Sequence, residues 1–242
     1  ITYGDWSSDV CSSDLPPSQS AFQILVPIDN ENTLWIFVQW DREAPLVDYV
    51  PERCHVNFRF WYDYSGGTLT DWGAHHMDIA QWGNGTDRTG PISVQGEILE
   101  QPTAGGYTAV PQYKLEYTYT NGVRMTCKNV VHENYSGGTI PELKKTDETN
   151  GVRFTGSDGW IFVNRGRLEA SRPEILSQEL PASATRLYVS PNHMGNFFEC
   201  VRSRKAPICD AETGHRSVSV CHLGVIALRT GRKLTWDPQA EQ

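Results

Sequence analysis

Apolar and polar positions divide this chain into an opening stretch with no clear period, a middle that alternates and an end that winds. Ala21–Ile28 and Leu34–Trp40 are apolar runs with no clean period, separated by the polar stretch Asp29–Thr33. Pro45 and Pro51 bracket an extended stretch, and Tyr64–Gly67 (YSGG) is a turn signal. In Asp71–Trp82, Ala74, Met77, Ile79 and Trp82 recur at roughly helical spacing before Gly83-Asn84-Gly85, which predicts a helix. Ile92–Leu99, Gln112–Tyr119 and Val123–Val131 alternate with a period of two and predict strands. Asn121-Gly122 between the last two predicts a two-residue hairpin turn. Gly151–Thr155 and Gly159–Asn164 read as a second short pair around Ser157-Asp158, and Ile140–Asn150 as a solvated charged loop. The pattern then turns helical over Asn196–Ser203 and Ala211–Arg229. The latter places Val218, Cys221, Val225 and Leu228 on one face and is closed by Gly231. Lys233–Pro238 reads as a last short strand. The expected fold is α+β: an open, mostly antiparallel sheet with helices on one face.

Composition narrows the function classes. The 242 residues hold 21 Lys and Arg against 29 Asp and Glu, a net charge of −8, so no basic face for nucleic acid is expected. The longest apolar runs, such as Val218–Leu228, are interrupted by Cys, His and Gly and fall short of a membrane span, so no membrane partner is expected. The first fifteen residues have no hydrophobic period, basic region or apolar region of a signal peptide. Asp5–Leu15 (DWSSDVCSSDL) resembles the in-frame translation of a sequencing-adapter end. The expected organisation is therefore an artefactual leader over 1–15, an irregular stretch over 16–44 and a single domain over 45–242. Apart from Cys11, the cysteines at 54, 127, 200, 209 and 221 form no C-x-x-C pair, and their odd number fits reduced thiols. No strand leads into G-x-G-x-x-G, so no dinucleotide-binding half is expected within these residues.

The candidate chemistry gathers on the first helix. Asp71 and His75 stand four apart, which places them on one face of a helix starting near Thr70. A carboxylate beside an imidazole can orient it as a general acid or base, and Asp71 in the first turn is favoured by the helix dipole. The same spacing also fits a cap and a half-buried packing histidine. Adjacent His75 and His76 point about 100° apart and cannot meet one ion; Asp71, His75 and Asp78 share a face, yet no further ligand is evident and no metal is expected. Cys209, His215, Cys221 and His222 match no zinc spacing and read as buried structural thiols with neighbouring histidines.

Tyr62–Trp82 (YDYSGGTLTDWGAHHMDIAQW) resembles the C-terminal domain of the Gfo/Idh/MocA oxidoreductases, the glucose–fructose oxidoreductase and inositol dehydrogenase family. Segments 51–60, 151–171 and 190–238 are similar to one bacterial branch of it, and the likeness covers roughly 45–238. The resemblance implies an N-terminal domain binding NAD or NADP, followed by this domain, which would hold a sugar or polyol. It implies that Asp71 and His75, after Gly66-Gly67, are the catalytic pair of the pattern G-G-x-x-x-D-x-x-x-H. His75 would take the hydroxyl proton while hydride leaves, and Asp71 would orient the imidazole. The family's E-K-P lysine is not found in these residues, and Leu34–Pro45 departs from the branch, as a frameshift would make it do. The chain alone is therefore expected to be inactive. Arg59, Trp72, His76 and His193 are the weaker candidates for substrate contact, since Arg and Trp suit sugar recognition. A homo-oligomer through the open sheet is expected, and the compartment, cytoplasm or periplasm, is open. The rival readings are a non-catalytic carbohydrate-binding or assembly domain, and a metal-dependent hydrolase using Asp71, His75 and Asp78.

Overall fold

The computed structural model describes residues 19–27, 33–41, 47–129, 150–186 and 188–241. The two apolar runs near the start pair with each other: β1 (Gln19–Pro27) lies antiparallel to β2 (Thr33–Asp41), from Gln19 opposite Asp41 to Pro27 opposite Thr33. Both runs are rich in β-branched and aromatic residues, which suit extended backbone even where no alternation marks a buried face. Short 3-10 turns follow at Pro51–Arg53, His55–Phe60 and Gly67–Leu69, and lead into helix α1 (Trp72–Asn84).

A four-stranded antiparallel sheet carries the centre of the domain. Its order is β5 (Arg124–Asn129), β4 (Gln112–Thr118), β3 (Ser93–Glu100), β9 (Leu234–Thr235). The period-two segments form these strands within a residue or two of their expected bounds. The turn between β4 and β5 differs from expectation. Tyr119 N–H donates to Val123 O and Gly122 N–H to Tyr119 O, so three residues, Thr120–Gly122, span it rather than two. A two-residue type I′ turn needs positive φ at both positions. Here only Gly122 takes it (φ 84°), and Asn121 stays on the ordinary side.

A second antiparallel sheet, β6 (Val152–Gly156), β7 (Gly159–Val163) and β8 (Leu168–Ala170), folds around the Ser157-Asp158 turn as expected; β8 and the short helix α2 (Pro173–Ser177) are added to it. Ile140–Lys145 and the rest of 130–149, like residues 1–18, lie outside the described residues. Helices α3 (His193–Ser203) and α4 (Ala211–Thr230) complete the order, and Gly231 ends α4 in the left-handed region.

Helix α4 lies on β3 and α1 and buries Val220, Cys221, Leu223, Val225, Ala227 and Leu228 against Val94, Tyr113, Leu115 and Tyr117 of the sheet and Leu69 and Met77 beside α1. The predicted stripe holds at Cys221, Val225 and Leu228, while Val218 is half-buried. The Cys221 thiol, fully enclosed, is pushed up to about 12 by burial and stays protonated. Cys209 departs from expectation: it is exposed, because it precedes α4 rather than lying on its apolar face.

One fully buried polar side chain pins α1 to the sheet. The Gln81 amide donates to Thr86 O (2.9 Å) and Thr89 O (3.1 Å), and its carbonyl accepts from Thr86 Oγ1 (2.8 Å) and Tyr119 Oη (2.9 Å). All four of its bonding positions are used. Gln81→Leu strands a buried phenol and a buried hydroxyl and is expected to lower the urea unfolding free energy by about 3 kcal/mol. An unchanged midpoint would mean that the network contributes nothing.

Candidate active site

The backbone brings Asp71 to the N-cap of α1, one position outside the helix rather than in its first turn. Its carboxylate does not cap the helix; it meets Arg59 Nη1 at 2.5 Å. Arg59 also donates through Nε to Val56 O (2.8 Å), so its guanidinium is committed to its own turn and to Asp71. The turn is held in place by Trp61, which is buried, donates through Nε1 to Glu52 O (2.8 Å) and lies under the Arg53 guanidinium, 3.9 Å from the ring centroid. The start of α1 is thus tied to the segment before the Gly-Gly turn.

His75 lies one turn into the helix and is exposed. No hydrogen bond joins it to Asp71: a charged guanidinium is a stronger partner for the carboxylate than an imidazole. The imidazole instead rests edge-on to Trp72, with ring centroids 5.8 Å apart. Trp72 is itself 45% exposed, so it is not a core residue. His75 lines a cavity of about 410 Å³ between α1, the N-terminal half of α4 and the β7–β8 turn, together with Asp78, Arg165, Cys209 and Ser217. Asp78 accepts a hydrogen bond from Ser217 Oγ (2.7 Å), which joins the two helices across the cavity wall. Partial burial, together with the carboxylates of Asp78 and Asp210, raises the Cys209 thiol pKa and keeps it protonated.

His76 points away from this cavity's lining, toward β6. Its Nε2 bonds Asn150 Oδ1, and since a carbonyl oxygen accepts, Nε2 carries the proton. Its Nδ1 is enclosed with no partner among the described residues. Burial lowers the His76 pKa, aided by His75 and Arg165 nearby, against the opposing effect of the Asn150 bond. A histidine lowered in the folded state supports folding above its unfolded pKa of about 6.5 and loses that support as pH falls toward the folded value. Stability should therefore decline through the acid side of neutrality, and His76→Gln should flatten part of that decline in urea titrations. An unchanged slope would remove His76 from the account.

His193 is the first residue of α3, exposed and outside the cavity lining. The site residues that sequence reading missed are Arg165, Ser217 and Cys209. No motif in the sequence points to Arg165 or Ser217, and Cys209 reads there as a buried structural thiol. Among the described residues, no group of three or more His, Cys, Asp or Glu could hold a metal ion.

With this geometry in place, the comparisons with known proteins bear on the chain. The family model of the Gfo/Idh/MocA proteins described as "Oxidoreductase family, C-terminal alpha/beta domain" matches residues 26–242. The chain belongs to this family. Its fold is similar to that of an NAD-binding protein from Listeria innocua, with a TM-score of 0.50, 17% identity, and coverage of 75% of this chain and 51% of that one. Weaker likenesses are to the WlbA dehydrogenase from Bordetella pertussis in complex with NADH and UDP-GlcNAcA (TM-score 0.48, 15% identity, 75% and 49% covered) and to the aldose-aldose oxidoreductase from Caulobacter crescentus complexed with glycerol (0.48, 16%, 74% and 50%). This Gfo/Idh/MocA chain spans about half the length of these structures. No curated protein matches it.

Proposed function

We propose that this Gfo/Idh/MocA domain is the substrate-binding, catalytic half of a nicotinamide-dependent oxidoreductase that acts on a sugar or polyol hydroxyl. The observation that supports this most is an exposed imidazole, His75, facing a cavity large enough for a monosaccharide, one turn past an aspartate fixed by Arg59. No described segment has the strand–glycine loop–helix form that cradles a dinucleotide, so NAD or NADP would be held outside them. What the chain offers such a cofactor is the open side of His75, where a hydride acceptor can approach the substrate carbon. The bound nicotinamide supplies the acceptor.

The residues of this chain then have distinct tasks. His75, which has no hydrogen-bond partner among the described residues, takes the hydroxyl proton at a ring nitrogen as the carbinol carbon is oxidised. Trp72 limits the imidazole on one edge and gives a sugar ring an apolar platform. Asp71 acts through its pair with Arg59, which fixes the start of the helix and so the place of the imidazole. Asp78 and Ser217 line the inner wall and offer polar atoms to further hydroxyls. A truncated oxidoreductase of this kind is inactive alone and associates with itself through the open sheet. The test is nicotinamide reduction, followed by absorbance over a panel of sugars and polyols. The full-length protein should turn over and the 242-residue chain should not. Turnover by the short chain without any nicotinamide would overturn the reading.

A further inference from the structure

Four arginines surround the start of α1 and the β7–β8 turn, and three of them are neutralised. Arg53 pairs with Asp63 (3.2 Å), Arg59 with Asp71 (2.5 Å), and Arg167 with Glu169, which it meets through Nε and Nη2 at 2.8 Å each. Arg165 differs. It is exposed at the tip of the β7–β8 turn and lines the cavity with His75, and no carboxylate among the described residues accepts from it. Its guanidinium carbon lies 5.3 Å from the Trp72 ring centroid. A guanidinium over an aromatic face keeps its in-plane N–H edge free for acceptors, and the planar fork matches a carboxylate or phosphate. The acidic member of the cavity, Asp78, sits six residues further along α1, about 9 Å by helical rise, and is engaged by Ser217. The cavity is thus positive at the Trp72 end and hydroxyl-seeking at the other.

We propose that Arg165 is a specificity residue and that the substrate is an anionic sugar, whose carboxylate or phosphate seats on Arg165 while a hydroxyl faces His75. This inference rests on the reading of the cavity as the substrate site. The turn Asn164–Arg167 is built to present the side chain: Asn164 Oδ1 accepts from the backbone N–H of Gly166 (2.9 Å) and of Arg167 (2.8 Å), which fixes the backbone on both sides of the tip. Trp72 then supports the guanidinium from below, so less side-chain freedom is lost when an anion arrives.

The experiment uses the 242-residue chain with carbon-13-labelled histidine, titrated with D-glucuronate, D-glucose 6-phosphate and D-glucose at low salt while the His75 ring signals are followed. An anionic sugar should bind about tenfold or more tightly than glucose, the scale of a charge-assisted hydrogen bond, and should shift His75. Which of the two anions wins separates carboxylate from phosphate as the natural group. Arg165→Gln should remove the preference, and Arg167→Gln, which touches a neutralised pair, should keep it. Equal affinity for all three sugars with His75 still shifted overturns the anionic preference and leaves the sugar-oxidoreductase reading standing. A preference that survives Arg165→Gln overturns the role of Arg165. Binding that never moves His75 overturns both this inference and the assignment of the cavity.

Discussion

His75→Ala in the full-length protein is expected to lower turnover by about a hundred- to ten-thousand-fold, the usual contribution of one positioned acid–base group, with little change in nicotinamide affinity. The split between these two effects is what makes the test informative. His75 is exposed on α1 and has no hydrogen-bond partner among the described residues, so its removal breaks no internal network and should leave the fold intact. A loss confined to turnover therefore reports proton transfer. Asp71→Asn gives a graded companion. It weakens the Arg59 pair, which loosens the start of α1, so a smaller fall in turnover should come with a modest fall in stability. If His75→Ala keeps full turnover, the base lies elsewhere in the cavity, and Asp78 becomes the group to replace.

A single added methyl group should also cost the fold measurable stability. Gly224 of α4 faces the sheet so closely that an alanine Cβ would fall 2.8 Å from both Leu115 Cδ1 and Leu69 Cδ2, and nearer still to Tyr117 Oη. All three neighbours are at most 1% exposed, so none has room to retreat. Gly224→Ala should destabilise the domain by about 1–3 kcal/mol through overpacking, despite the better helix propensity of alanine. The remedy is specific, because the buried Tyr117 hydroxyl has no hydrogen-bond partner among the described residues. Tyr117→Phe removes the atom nearest the added methyl together with an unpaired buried group, so alone it should be neutral or stabilising, and combined with Gly224→Ala it should recover much of the loss. Additive effects in denaturant titrations of the double variant would show that the helix had shifted instead.

These expectations also show what can be read from a chain before it folds. The strands β3 to β5 and the helix α4 were legible because each carries a local period of apolar and polar residues that already names the element, and β6 and β7 because a turn signal joins them. Two things resist such reading. The first is backbone choice at a turn: Asn121-Gly122 permits a two-residue loop, yet the decision rests on whether Asn121 accepts positive φ, and it does not. The second is pairing over distance. The spacing of Asp71 and His75 suggests a bonded couple, but Arg59, twelve residues before Asp71, takes the carboxylate. Arg165 in the β7–β8 turn meets Trp72 at the start of α1, and nothing in the residues around either one signals that meeting. The candidate base was legible as part of a familiar motif; the cation beside it needed the fold.

The arm that carries Arg165 is set against α1 by one packing contact with a broad consequence. The ring of Phe154 on β6 lies directly against Gly83, where any side chain on the helix would collide with it. The hairpin is therefore seated on the far end of the same helix that bears His75, while its tip reaches back toward Trp72. The imidazole proposed to accept the proton and the guanidinium proposed to choose the substrate belong to separate pieces of chain that share one rod as their ruler. Changes in the length or tip of that hairpin could retune which sugars are accepted while the chemistry at the imidazole stays as it is. In this architecture diversity of substrates would come from exchanging an arm, and constancy of reaction from keeping the rod.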